Sequence, residues 1–487
     1  MSDTASSQFE TDYSTAANTV EEVESSLRLP VLHTITAAAV WMVIGTLLAF
    51  IASLQLHSPG VFADCSYLNH GKTKTAAWNA LLYGFALQMA IGVMLYVVCR
   101  LSRKALRHSF TVFVANKFWN LGVLLGVVGI FIGDSTGHEF FAIPFYSAIV
   151  LFLSFAVILL KTFLALHYRT EREFYVSQLY LGAAGLWFLW ALSTAIVVLQ
   201  LEPVRGVVQL VVSEWYVNNV FQIVLGGAGV GAILYFVPQL ASRPLHSKEL
   251  ALTGFWLLVF VGGWAGITGK LPLPAWVAGV SSAAGFLLIV PLIVVLYNVY
   301  STVAPDLPMV TNRPAGKSLL VGLAAYSVWT LLEICSGFIG FGNLVQFTHF
   351  ATAQNYLFLY GFVGMSLIGA ACVILPRLTG QECGGNGQGM VFLALLGGVV
   401  LTFGGNALAG LRQGFALKDG GRAFQASVDA AQGMLALGTF GTLVLLAAAG
   451  LFLFGCLTLI GRALYAEYPF LEWFRDDSDV ASEGGAE

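Results

Sequence analysis

The residues of this chain best suited to chemistry are its histidines, its cysteines and a few polar groups set inside apolar runs. Haem iron is held by His, Met, Cys or Tyr, and copper by imidazole. The histidines are therefore placed first. His33, His57, His70, His108, His138, His167, His246 and His349 all fall at the ends of apolar runs or between them. On this reading no imidazole projects from mid-helix, and a haem held between two helices by paired histidines finds no ligands. Met42, Met89, Met94 and Met365 do lie inside apolar runs, where methionine ordinarily fills a core. The six cysteines (Cys65, Cys99, Cys335, Cys372, Cys383 and Cys456) form no CxxC and no CxxCH. That spacing offers no zinc site, no c-type haem attachment and no disulfide framework.

Ionisable groups within a membrane are functional candidates by default. Lys117 and Lys161 lie toward run ends, from which a lysine reaches the interface. Glu333 sits in "YSVWTLLEICSGF", flanked by apolar residues. A carboxyl there is expected to be protonated or paired across helices, and it is the proton-path candidate of this sequence. The stretch "SEWYVNNVFQIVLGG" places Asn218 and Asn219 side by side in an apolar helix. Such amides are costly unless they hydrogen-bond to a neighbouring helix.

These residues must be positioned by membrane helices. The chain has 487 residues, 57% hydrophobic and 10% charged, where a soluble chain carries about 25% charged residues. Apolar runs of the ~20 residues needed to cross a bilayer recur throughout. Twelve candidate spans lie near 31–55, 76–99, 110–133, 141–165, 175–200, 211–238, 250–269, 276–300, 318–341, 353–376, 390–411 and 437–460. Connections are short, apart from 412–436 and 301–317. Residues 1–30 and 466–487 read as disordered acidic tails around a membrane domain of 31–465. Fourteen Lys and Arg fall on the side of the N-terminus and seven on the other, with "CRLSRKALRH" the clearest loop. By the positive-inside rule both termini are expected in the cytoplasm, and the location is the cell (inner) membrane.

The order of motifs resembles the catalytic subunit (subunit I) of C-type (cbb-type) heme-copper oxidases. "KTAAWNALLYGF", "RTEREFYVSQLYLGAAGLWF", "SEWYVNNVF" with "YFVPQL", "HSKELALTGFWLLVFVGGWAG", "LPAW" and "THFATAQNYLFLYGFVGMSLIGAACVILPRL" follow one another over roughly residues 30–460. The resemblance implies an all-α, twelve-helix bundle, and haem b and copper as the family's cofactors. The family's ligand positions are nevertheless filled by other residues. The second-helix haem ligand corresponds to Ala77, and the sixth-helix copper ligand to Asn218, with Asn219 matching the family's Asn. The adjacent copper-binding pair corresponds to Thr268 and Gly269, and the family's tyrosine to Gly262. The His-x-His of the tenth helix corresponds to Leu357 and Leu359. Glu333 lies near a family Glu, one residue further from Tyr326 than the pattern expects.

These departures imply a related subunit without haem, copper or any other metal. It is expected to act as a scaffold or accessory subunit in a respiratory or electron-transfer complex, not catalytic by itself. Partners would be the lipid bilayer, other membrane or cytochrome subunits and, as a further candidate, quinone, with no nucleic acid. Two alternatives stand beside this reading. One is an active cbb-type terminal oxidase or nitric-oxide reductase-like enzyme with unrecognised ligands. The other is a secondary transporter, a class that tends to show internal repeats of which the sequence has no clear example.

Overall fold

The computed structural model describes residues 17–203, 205–267, 273–382, 384–421 and 423–467. Its architecture is all-α. Twelve principal helices follow in order: α1 (Val20–His57), α2 (His70–Ser102), α3 (Ser109–Ile132), α4 (Phe145–His167), α5 (Val176–Gln200), α6 (Val207–Leu240), α7 (Lys248–Gly262), α8 (Ala275–Thr311), α9 (Pro314–Ser336), α10 (Phe350–Thr379), α11 (Gly385–Lys418) and α12 (Phe424–Glu467). Among the described residues eleven are long and apolar enough to cross a membrane. The twelfth, α7, has 15 residues. It rises about 22 Å, short of the ~30 Å hydrocarbon core. The expected twelve segments are therefore present in the expected order, with the seventh ending earlier than its apolar run.

Local sequence sets the helix starts. Thr19 accepts from the Glu22 amide (3.2 Å) and Glu22 accepts from the Thr19 amide (2.9 Å), a reciprocal cap that satisfies two otherwise unpaired donors. Residues 20–30, expected in a disordered tail, are consequently the first turns of α1. Asn69 caps α2 through the Lys72 amide, and Ser247 caps α7 through that of Leu250. The connection expected at 412–436 is also mostly helical: α11 runs to Lys418 and α12 begins at Phe424. Their polar ends extend past the apolar segments because helix hydrogen bonding continues into water. The 301–317 connection likewise contains the end of α8 and the start of α9. Residues 1–16 and 468–487 lie outside the described set.

Three helices form the inside of the bundle. The most apolar windows of α2, α6 and α10 are 100%, 100% and 89% buried, against at most half for the others. Each of the three contains a wide π-helical segment: Ala80–Leu87, Val220–Leu225 and Leu357–Gly364. Elsewhere small residues let backbones meet. A Cβ on Gly405 of α11 would lie 2.4 Å from the Gly438 nitrogen of α12, so that contact admits only glycine.

Candidate functional site

Asn218 and Asn219 stand where α6 passes the end of α7. The last carbonyls of a helix have no partner within it, and in hydrocarbon an unsatisfied backbone group costs several kcal/mol. The two amides serve this helix end. Asn218 Nδ2 donates to the Gly262 carbonyl at 2.9 Å. Asn219 Nδ2 donates to the Trp215 carbonyl at 2.7 Å and the Gly263 carbonyl at 3.4 Å. The Trp187 indole N–H donates to Asn219 Oδ1 at 2.8 Å. One polar cluster thus ties α5, α6 and α7 together. Gly266 closes the following turn with φ +82°, and a Cβ there would lie 2.6 Å from Asn218 Oδ1.

The structure therefore brings together two sequence-predicted positions that lie 44 residues apart, Asn218 and Gly262. Thr268 and Gly269 lie outside the described residues. Ala77 is buried on α2, beside Trp78. Leu357 and Leu359 are buried in the π-helical segment of α10.

Aromatic rings fill the space between α2, α6, α9 and α10. Phe358, between the two leucines, stacks on Phe221 with centroids 4.6 Å apart and planes 6° from parallel. It also packs against Trp329 at 4.4 Å and Phe362 at 5.5 Å. Trp78 packs on Tyr356 at 5.0 Å, and Tyr326 on Phe362 at 4.4 Å. Nearby hydroxyls pair with one another, Tyr83 with Tyr216 at 2.7 Å and Tyr360 with Thr46 at 2.7 Å. The cavity that Ala77 lines, at the junction of α1, α2, α10 and α11, measures about 40 Å³, room for a few waters.

Ala77, Gly262, Leu357 and Leu359 carry no side-chain donor atom for a metal, and Asn218 Nδ2 donates to the Gly262 carbonyl.

Two sequence expectations change here. His33 is not at a helix end. With α1 starting at Val20 it lies well within that helix, edge-on to Phe113 at 4.9 Å. Glu333 is not deep inside its helix. It stands in the last turn of α9, half-buried, and its carbonyl accepts from the Gly337 amide at 3.1 Å. The helix stops there because Gly337 follows, a stop that the apolar pattern around Glu333 conceals.

One grouping escaped sequence reading. His70, Lys74 and His349 line the same small cavity as Ala77. The four-residue step from His70 to Lys74 to Trp78 puts all three on one face of α2, a spacing visible in the sequence. Only the fold adds His349.

Comparison with known proteins places the architecture. Residues 30–464 match the family model described as Cytochrome C and Quinol oxidase polypeptide I. The Cbb3-type cytochrome c oxidase subunit CcoN1 of Stutzerimonas stutzeri is 24% identical over 355 residues, 70% of this chain and 74% of the relative. The cytochrome c oxidase subunit 1 of Rhodobacter capsulatus is 22% identical over 369 residues, 72% of this chain and 68% of the relative. Among solved structures, a heme-copper terminal oxidase dimer has a similar fold. The TM-score is 0.72 at 14% identity, covering 90% of this chain and 84% of the other.

Proposed function

This chain belongs to the family of cytochrome c and quinol oxidase polypeptide I, and from that premise we propose that it is a haem-free, copper-free member. It is a multi-pass membrane protein related to cytochrome c oxidase subunit I. Its proposed role is that of a scaffold or accessory subunit in a respiratory or electron-transfer complex, docking membrane or cytochrome subunits, with quinone as a further candidate partner. It is proposed to lie in the cell membrane with both termini in the cytoplasm.

The observation that carries this reading is the pairing of Asn218 with the Gly262 carbonyl. The residue that the resemblance matches to a copper ligand here finishes a helix, beside the residue it matches to the family's tyrosine. The aromatic packing around Leu357 and Leu359 supports the same reading, because it occupies space between the three inner helices. No redox step is assigned to this chain.

The test is a pyridine haemochrome assay and metal analysis on the purified chain, together with gentle-detergent purification from its native membrane. The expected result is no haem signal, sub-stoichiometric copper and co-purifying membrane or cytochrome subunits. A stoichiometric Soret band would overturn the haem-free reading. A chain that always purifies alone would overturn the scaffold role.

A further inference from the structure

The cavity at the junction of α1, α2, α10 and α11 sets several polar side chains into a mostly apolar wall. His70, Lys74 and Trp78 face it from α2, His349 and Tyr356 from the start of α10, and Asn406 from α11. Lys74 brings a positive charge and three donors, an Asn406 amide N–H is already given to the Thr402 carbonyl, and no Asp or Glu lines the space. Trp78 is 4% exposed, and its indole N–H has no hydrogen-bond partner. A buried donor left unpaired costs about 1–3 kcal/mol, so this one calls for an acceptor. His70 Nδ1 is 3.0 Å from the Ala52 carbonyl. A carbonyl only accepts, so Nδ1 carries the proton, and Nε2 is the ring atom that can gain one. His70, Lys74 and His349 are only half-buried, which leaves a route in from the surface.

We propose that this cavity binds a small monovalent anion, a carboxylate or similar oxyanion of about formate size, between the Lys74 ammonium and the Trp78 indole N–H. At about 40 Å³ the space has room for a few water-sized groups. The proposal rests on the haem-free reading, since a haem beside Ala77 would compete for the same space. The two histidines add a pH dependence. Burial, the Lys74 charge and His70 keep His349 neutral, with its pKa pushed down to about 4. An anion beside Lys74 offsets that charge and favours protonation of either ring, so binding takes up protons.

The experiment is calorimetric titration of the purified full-length protein with sodium formate and sodium nitrite, with sodium gluconate as an oversized control. Saturable binding of the two small anions is expected, tighter near pH 6 than near pH 8 by several-fold. The Lys74→Met variant should bind about tenfold more weakly, and Trp78→Phe, which keeps the ring and loses only the N–H, several-fold more weakly. Lys317→Met, at the start of α9, should bind as the parent does. If Lys74→Met fails to fold, Trp78→Phe decides. Absence of saturable binding, or unchanged binding in Trp78→Phe, would overturn the proposal. A haemochrome assay on the same sample separates the two readings: a haem signal sinks the haem-free assignment, whereas a haem-free sample that takes up neither anion sinks this one alone.

Discussion

The side-chain amide of Asn218 donates to the main-chain carbonyl of Gly262 across 2.9 Å. Asn219 beside it makes three contacts, accepting from Trp187 and donating to the carbonyls of Trp215 and Gly263. The pair closes the short helix α7 against α6. Interhelical hydrogen bonds in membranes contribute about 0.6 kcal/mol on average and up to about 1.7. Asn218→Ala is therefore expected to destabilise by about 1 kcal/mol. Asn219→Ala should cost more, about 2 kcal/mol, because it leaves the Trp187 N–H without its acceptor. Thermal melting in detergent measures both, and equal effects would contradict the unequal roles.

Placing imidazole at Leu357 and Leu359 of the tenth helix should not create a haem site. Leu359 is fully buried and Leu357 nearly so, and Phe358 between them is held against Phe221 and Trp329. Leu357→His and Leu359→His each place a polar ring where no partner is provided, at an expected cost of about 2–4 kcal/mol. Spectra of the double variant, expressed with added haem precursor, should show no bis-imidazole signal. A Soret band from it would mean that the packing yields to a porphyrin.

Glu333 is the proton-path candidate, and its place in the last turn of α9 puts it at a helix end. Glu333→Gln keeps the shape and removes the charge. The isolated protein should melt within about 0.5 kcal/mol of the parent, as for a substitution outside the core. Activity of the co-purified assembly should change, with no change in any haem signal of the partners. Unaltered assembly activity would remove Glu333 from a proton path.

Stability should fall on acidification through His349. Its folded-state pKa is pushed down to about 4 by burial, with Lys74 and His70 adding like charge, while an unfolded histidine titrates near 6.5. Between about pH 6.5 and 4 the unfolded chain holds the proton and the folded chain does not. Stability thus declines as pH drops through that window, at about 1.4 kcal/mol per pH unit where the two states differ by a full proton, and levels off below it. His349→Gln should flatten that part of the melting profile. An unchanged slope would assign the acid sensitivity to other groups.

The apolar runs alone determined the membrane class and the order of twelve helices. A helix in a bilayer must satisfy its backbone internally, so a span of some 20 apolar residues has little choice of structure. Motif order alone marked the family, and the residue types at Ala77, Gly262, Leu357 and Leu359 carry no side-chain metal-binding atom. Helix ends were less legible. Capping at Thr19 and the continuation of α11 and α12 into water depend on hydrogen bonds, which hydropathy does not register. The tertiary structure decided what Asn218 and its neighbours do. Contacts between residues far apart in sequence, Asn218 with Gly262 and Phe221 with Phe358, arise only when α6, α7 and α10 pack. The same holds for the cavity: the face of His70, Lys74 and Trp78 is written in the four-residue spacing of α2, but His349 joins it only where α10 begins alongside.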